Sequence, residues 1–219
     1  LISQVYEAKI KLQKTEMKAL QAQINPHFLY NSLSIINWKA LEADNEEISR
    51  ITLALSTYYR TSLNKGETMT IAANEIRNID AYLQIQLIMH DNSFQVIKEI
   101  QEDALSYSVP KLILQPLVEN AIEHGLDVSE KEEKWLKISV CKEKDALIMA
   151  VEDNGMGMSE EQAKSIITYR SKGYGVRNVN DRITLLYGEE YHLRVKSRQG
   201  EGCRIEIVIP VNKEEKRYE

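Results

Sequence analysis

For its first 64 residues the chain contains no glycine and a single proline, Pro26. A stretch of that length without the residue that most weakens a helix interior favours helix over other folds. Within it Ile48, Ile51, Leu55, Tyr58 and Ser62 recur in alternating steps of three and four, the spacing of a coiled-coil-like seam. Ahead of them Val5, Leu12, Leu20, Ile24 and Phe28 keep broadly helical spacing. Asp44-Asn45 interrupts the pattern as a turn, with Asn45 a suitable N-cap for the second segment. The expectation is two antiparallel helices. Such a hairpin leaves one apolar face bare when alone, so pairing with a second copy into a four-helix bundle is the natural solution.

Lys65-Gly66 closes the hairpin, and a third helix is expected from Ala73 to Met89, with Ile76, Ile79, Leu83 and Leu87 facing inward. After Asp91-Asn92 the texture changes. Phe94–Ile100, Trp135–Lys142, Leu147–Glu152, His192–Lys196 and Arg204–Val211 read as strands, separated by helical patterns at Lys111–Glu123, Glu160–Thr168 and Val176–Tyr187. The predicted fold class is α + α/β: a helical hairpin, then an α+β sandwich with helices on one face of a mixed sheet. The boundaries that follow are 1–66 for the hairpin, 67–92 for a connecting helix, 93–213 for the sandwich and 214–219 for a charged tail.

Composition narrows the partners. A net charge of -5 with no dense basic stripe argues against direct nucleic-acid binding. Lys9, Lys11, Lys14 and Lys18 are interleaved with Glu7 and Glu16, which reads as a solvated helix face. The two cysteines, Cys141 and Cys203, sit in strand-like runs with no metal-ligand spacing. They read as buried reduced thiols, which suits a cytosolic compartment. No apolar run approaches the ~18 residues needed to span a bilayer. The chain starts without Met, in what reads as the middle of a helix, and is expected to be a piece of a longer protein, which leaves a membrane segment upstream open.

Three stretches carry groups suited to phosphate chemistry. In Lys111–Gly125 the apolar Ile113, Leu114, Leu117, Val118, Ala121 and Ile122 fall on one helical arc, as in any amphipathic helix. The opposite arc holds Gln115, Glu119, Asn120, Glu123 and His124, a compact oxygen- and nitrogen-rich surface able to hold Mg²⁺ between phosphates. In Val151–Met158 a strand ends in Asp153, followed by Gly155 and Gly157. A carboxylate fixed there can accept a hydrogen bond from an exocyclic amine, although Asn-Gly alone is also a plain turn signal. Third, Lys172-Gly-Tyr-Gly-Val-Arg177 precedes a helix, so Gly173 and Gly175 could cradle an anion while Lys172, Arg177 and Arg182 neutralise it or lie solvated. Met158 to Gly173 is then a short lid. His27 stands apart from these, directly after Pro26, which should kink its helix. An imidazole there offers a nucleophile at cellular pH.

Four blocks in this order resemble the LytS/YesM-type sensor histidine kinases: LQAQINPHFLYNSL (20–33), LQPLVENAIEHG (114–125), VEDNGMGM (151–158) and GYGVRNVNDRI (173–183). The resemblance covers nearly the whole chain. It implies a dimerisation and phosphotransfer hairpin followed by an ATP-binding domain of the GHKL type. On the matching positions His27 is the phosphoacceptor, Asn120 holds Mg²⁺ with Glu119 beside it, and Asp153 binds the adenine amine. Gly155, Gly157, Gly173 and Gly175 shape the pocket and lid, with His124, Lys172 and Arg177 at its edge. Asn31, one turn after His27, is implied in dephosphorylating the partner. The implied cofactors are ATP and Mg²⁺. The implied partners are a second copy of the chain and the receiver domain of a DNA-binding response regulator. The implied setting is the cytoplasmic part of a membrane sensor. Departures from the wider kinase pattern are Phe28 after the histidine, Glu123 in place of a lysine, and Leu87–His90 where an arginine and an aromatic are expected. Two alternatives remain beside phosphorylation of His27: a GHKL ATPase in which Glu119 activates water, and a non-catalytic nucleotide-binding scaffold.

Overall fold

Asn25 opens the first helix of the structure, a computed structural model that describes residues 25–63, 67–168 and 174–211. Its backbone is extended, and its side-chain oxygen accepts from the N–H groups of His27 (3.1 Å) and Phe28 (3.3 Å). Pro26 follows at the first helical position, where its missing N–H has no partner to lose and its fixed φ suits the helix. The expected kink at Pro26 is therefore corrected: the proline starts α1 (Pro26–Glu42) rather than bending it. The helix expected before it, the Lys65-Gly66 breaker and the charged tail lie outside the described residues.

Chain reversal occurs where the turn signal stands. Asp44 takes φ 50°, and Asn45 caps α2 (Glu46–Ser62) by accepting from the Ile48 N–H at 3.1 Å. The two helices meet through small and polar groups: Ser49, Thr52 and Ala54 are buried on α2, Leu33 and Ala40 on α1, and the Ser49 hydroxyl donates to Asn37 Oδ1 at 2.7 Å. Large apolar side chains remain outside this contact, with Phe28 at 71%, Ile35 at 62% and Trp38 at 61% exposure. Of the expected seam, Ile48 is exposed and Ile51, Leu55, Tyr58 and Ser62 are half-buried.

The chain divides into two compact units, Leu1–Gly66 and Glu67–Glu219. In the second, β1 (Met69–Ile71) leads into α3 (Ala72–Met89), which buries Ile76, Ile79 and Leu83 in the main core. Then come β2 (Gln95–Ile100), a 3₁₀ turn (Glu102–Ser106), β3 (Ser108–Pro110), and α4 (Gln115–Asn120), which widens into a π turn (Ala121–Leu126). The remainder is β4 (Trp135–Glu143), β5 (Ala146–Asp153), α5 (Glu160–Thr168), α6 (Tyr174–Tyr187), β6 (Leu193–Arg198) and β7 (Gly202–Pro210). β1 and β3 form a small antiparallel ribbon that periodicity did not predict. The other five strands make a mixed sheet in the order β2-β4-β5-β7-β6, with only β2 and β4 parallel.

Side-chain parity separates the two faces of that sheet. Leu136, Ile138 and Val140, Leu147, Met149 and Val151, and Ile205, Ile207 and Ile209 point to the helices and are buried. Each such side chain contributes about 1.5–3 kcal/mol by leaving water. The alternate positions carry Lys137, Glu152, Arg204 and Glu206, paired across the open face: Arg204 reaches Glu152 and Glu206 at 2.8 Å each. Cys141 lies on that open face and is half-buried, not buried as expected; Cys203 is buried, and both thiols are free.

Candidate functional site

The parity that turns Leu147, Met149 and Val151 toward the helices turns Asp153 the same way, at the last residue of β5. Asp153 is 4% exposed. Its Oδ1 accepts from the Gly155 N–H at 2.8 Å. Burial pushes the Asp153 carboxyl up to about 6, against the opposing pull of the Gly155 and Cys203 N–H groups and of Lys131. A carboxylate so placed has acceptor capacity on an enclosed face and stays mostly ionised at neutral pH.

The π turn supplies the wall opposite. Asp127 N–H donates to the Ile122 carbonyl five residues back, at 2.9 Å, the bond that defines a π turn. Widening the helix there turns the Gly125 carbonyl out to accept from Met156 N–H at 3.0 Å. It also sets Gly125 against Asp153, where a Cβ would come within 2.6 Å of Oδ1. Gly155 lies directly on the Gly125 backbone, and an added Cβ would overlap its carbonyl. Gly157 takes φ 64° and passes the Arg198 carbonyl as closely. Asn154 locks the adjoining loop, accepting from Trp135 N–H and donating to the Glu133 carbonyl, both at 2.8 Å.

Between these walls runs a narrow cleft lined by Asn120, His124, Gly125, Asp153, Gly157, Met158 and Cys203. Asn120 reaches it from the last turn of α4. Glu119, beside it, accepts from Gln115 Nε2 at 2.7 Å. The floor is closed by Cys203, which pairs with Asp153 across β5 and β7. Burial and then the Asp153 charge push its thiol up to about 12, so it is a packing group here. The donors facing the cleft are hard oxygens and nitrogens beside one buried carboxylate, a set that fits a Mg²⁺-bound polyphosphate and a purine amine.

Two family models match the chain in succession, "Histidine kinase" over residues 15–94 and "Histidine kinase-, DNA gyrase B-, and HSP90-like ATPase" over residues 108–213. The sensor histidine kinase YesM of Bacillus subtilis is 35% identical over 98% of this chain. The sensor protein LytS of Bacillus cereus is 34% identical over 91%, and the sensor histidine kinase BtsS of Escherichia coli is 31% identical over 96%. The chain belongs to the LytS/YesM-like sensor histidine kinases. It spans about a third of the length of these relatives, 34–36%. Among solved structures, the histidine kinase domain of an Erythrobacter litoralis blue-light activated kinase superposes with TM-score 0.51 at 16% identity, covering 91% of this chain and 94% of that one. The catalytic domain of histidine kinase ThkA gives 0.51 at 21% identity, covering 67% and 98%. These two share the fold.

The cleft unites Asn120, His124, Asp153 and Gly157 of the residues singled out from sequence, with Gly155 and Glu119 just behind them. Gly175 and Arg177 are not among the cleft-lining residues. α6 begins at Tyr174, so Gly175 is inside its first turn rather than before the helix, and its bare Cα lets Pro116 approach. Arg177 Nε pairs with Asp181 at 3.5 Å. Arg182 is half-buried and donates to the carbonyls of Lys111 (2.6 Å) and Thr68 (2.8 Å). Lys172 and Gly173 lie outside the described residues. His27 is exposed on the first turn of α1, with Nδ1 3.3 Å from Asn31 Nδ2. Gly125, Met158 and Cys203 were not singled out for the site from the sequence. Gly125 stands in the quoted block directly after His124, and Cys203 is reachable only through strand register.

Helix α4 is also shorter at its start than the amphipathic pattern predicts. Lys111–Leu114 is not helical, because Leu112 takes φ 57°. The buried Glu75 of α3 accepts from the N–H groups of Leu112 (2.7 Å), Ile113 (3.0 Å) and Leu114 (3.4 Å). Burial raises the Glu75 carboxyl, while these three amides and Arg182 hold it down.

Proposed function

We propose that this chain is the ATP-dependent protein-histidine kinase core of a two-component sensor, which phosphorylates His27 and passes the phosphoryl group to an aspartate of a response regulator. The single observation that carries the nucleotide half of this reading is Asp153: a buried carboxylate with acceptor capacity, facing Gly125 and Asn120 across a cleft. The adenine amine donates to it. Asn120 would hold Mg²⁺ through its amide oxygen, with Glu119 beside it, and the ion supplies charge neutralisation on the phosphates.

Catalysis here is positioning more than covalent chemistry. A lone pair on the His27 ring attacks the γ-phosphorus of ATP, the N–P bond forms, the bond to the β–γ bridging oxygen breaks, and ADP leaves. A half-turn of the Asn31 amide lets its Oδ1 accept from Nδ1–H, which leaves Nε2 with the free lone pair. At the N-terminus of α1 the phosphorylated ring lies at the positive end of the helix dipole, which favours an added negative charge. A homodimer is part of the reading, supported by Phe28, Ile35 and Trp38 on the outside of the hairpin.

The test is incubation of the chain with Mg²⁺ and labelled ATP. An acid-labile, alkali-stable label on the wild type, absent from His27→Gln, is expected, together with sedimentation as a dimer. Steady phosphate release with no protein labelling would point instead to a plain ATPase and overturn the kinase reading.

A further inference from the structure

Both ends of the segment that carries Glu119, Asn120, His124 and Gly125 are held by one helix, and neither holding group lines the cleft. At the start, the Glu75 carboxylate in the first turn of α3 takes the N–H groups of Leu112, Ile113 and Leu114. Three successive amides on one carboxylate set the place where α4 begins and the direction in which it leaves. They also hold Leu112 in the left-handed region, which a branched apolar side chain rarely adopts. At the far end, His90 closes α3 as its C-cap. Its Nδ1 faces the Gln86 carbonyl at 2.8 Å, and its Nε2 faces Asp127 Oδ1 at 3.1 Å. Asp127 is the C-cap of the π turn.

The segment between these fixed points is not a uniform rod. An α-helical half carries Glu119 and Asn120, and a π turn carries His124 and Gly125. The regular hydrogen-bond ladder changes where they join, so each half follows the anchor nearer to it. Glu75 is buried within the core, and a neutral side chain of equal size offers one acceptor where the carboxylate offers two.

We propose that α3 is a brace for the nucleotide cleft, with Glu75 and His90 as positioning residues: Glu75 sets Glu119 and Asn120 against the phosphates, and His90 sets His124 and Gly125 against Asp153 and the purine. This rests on the nucleotide reading given above. The two anchors act on different parts of the ligand, and that separates the brace from a general loss of stability.

Calorimetric titration of the full chain with adenosine and with the Mg²⁺ complex of a non-hydrolysable ATP analogue tests it. Glu75→Gln is expected to weaken the analogue about tenfold, equivalent to about 1.4 kcal/mol, and adenosine by less than about twofold. His90→Gln is expected to weaken both ligands by the same factor, about three- to fivefold. Equal losses of the two ligands in Glu75→Gln, or wild-type affinity in either folded variant, overturns the brace. Should Glu75→Gln fail to fold, His90→Gln, whose side chain is partly exposed, decides alone: an unchanged adenosine affinity overturns the proposal. A wild-type chain that binds neither ligand overturns the nucleotide reading itself, and the brace with it.

Discussion

Replacing Asp153 by asparagine should make the protein more stable while removing the acceptor that the adenine amine needs in its charged form. An ordinary aspartate carboxyl titrates at 3.8, whereas burial moves Asp153 to about 6. Below about pH 3 both the folded and unfolded chains hold the proton, and the group is neutral to stability. As pH rises through the window between the two values, the unfolded chain releases its proton first, and the folded state loses ground. Above about pH 7 both are ionised, and the loss levels off at about 3 kcal/mol. Asparagine has no such term. It keeps an acceptor for the Gly155 N–H but turns a donor toward the Cys203 N–H, at a cost of about 1 kcal/mol at every pH. The net gain at pH 7.5 is therefore about 2 kcal/mol, and it shrinks by about 1.4 kcal/mol on going down to pH 5. Urea unfolding reads this in a Trp38→Phe background, where Trp135 beside the site becomes the sole tryptophan. Other titrating groups are shared by both proteins and cancel in the difference. A stability gap that is flat across this range, or that widens toward acid, refutes the reasoning.

Adenosine affinity should fall about tenfold between pH 7.5 and pH 5 as Asp153 takes up its proton; titration calorimetry of Asp153→Asn should show no such slope. Gly155→Ala should destabilise by about 3 kcal/mol or more, because its Cβ meets the Gly125 backbone, which cannot rotate away. Gly200→Ala, with open space around it and φ 80°, should cost only about 1 kcal/mol; equal urea midpoints for the two variants would contradict this. Asn31→Ala should still label at His27, though more slowly for want of the amide that fixes the ring tautomer, and should lose most dephosphorylation of a phosphorylated regulator; an unchanged dephosphorylation rate discards the dephosphorylating role of Asn31.

Legibility followed the range of the interaction. Helix α5 stands where the amphipathic pattern places it, Glu160–Thr168, because its acidic first turn and apolar spacing are local. The hairpin turn was readable for the same reason, since Asp44 and Asn45 supply the left-handed residue and the cap within two positions. Lys111–Leu114 was misjudged because the group that unwinds it, Glu75, is more than thirty residues upstream and gives no local sign. The β1–β3 ribbon escaped notice because each strand is three residues long and finds its partner only across α3 and β2. Pro26 was read as a kink because Asn25 was not recognised as its cap. At the cleft, Asp153 and the glycines after it announced themselves as residue types, whereas Cys203 enters only through strand pairing.

The π turn has a consequence for how this chain can change. It holds one residue more than a regular turn does, so loss of any single residue from 121–126 lets the ladder close in ordinary α form. The residues on either side keep their places, because the turn had absorbed the extra residue, and those inside it are re-registered. Gly125 leaves its seat against Asp153, and a bulkier neighbour arrives where there is no room for a side chain. Single-residue deletions in this turn thus disrupt the cleft wall in a way that point substitutions on the exposed side, such as at Glu123, do not.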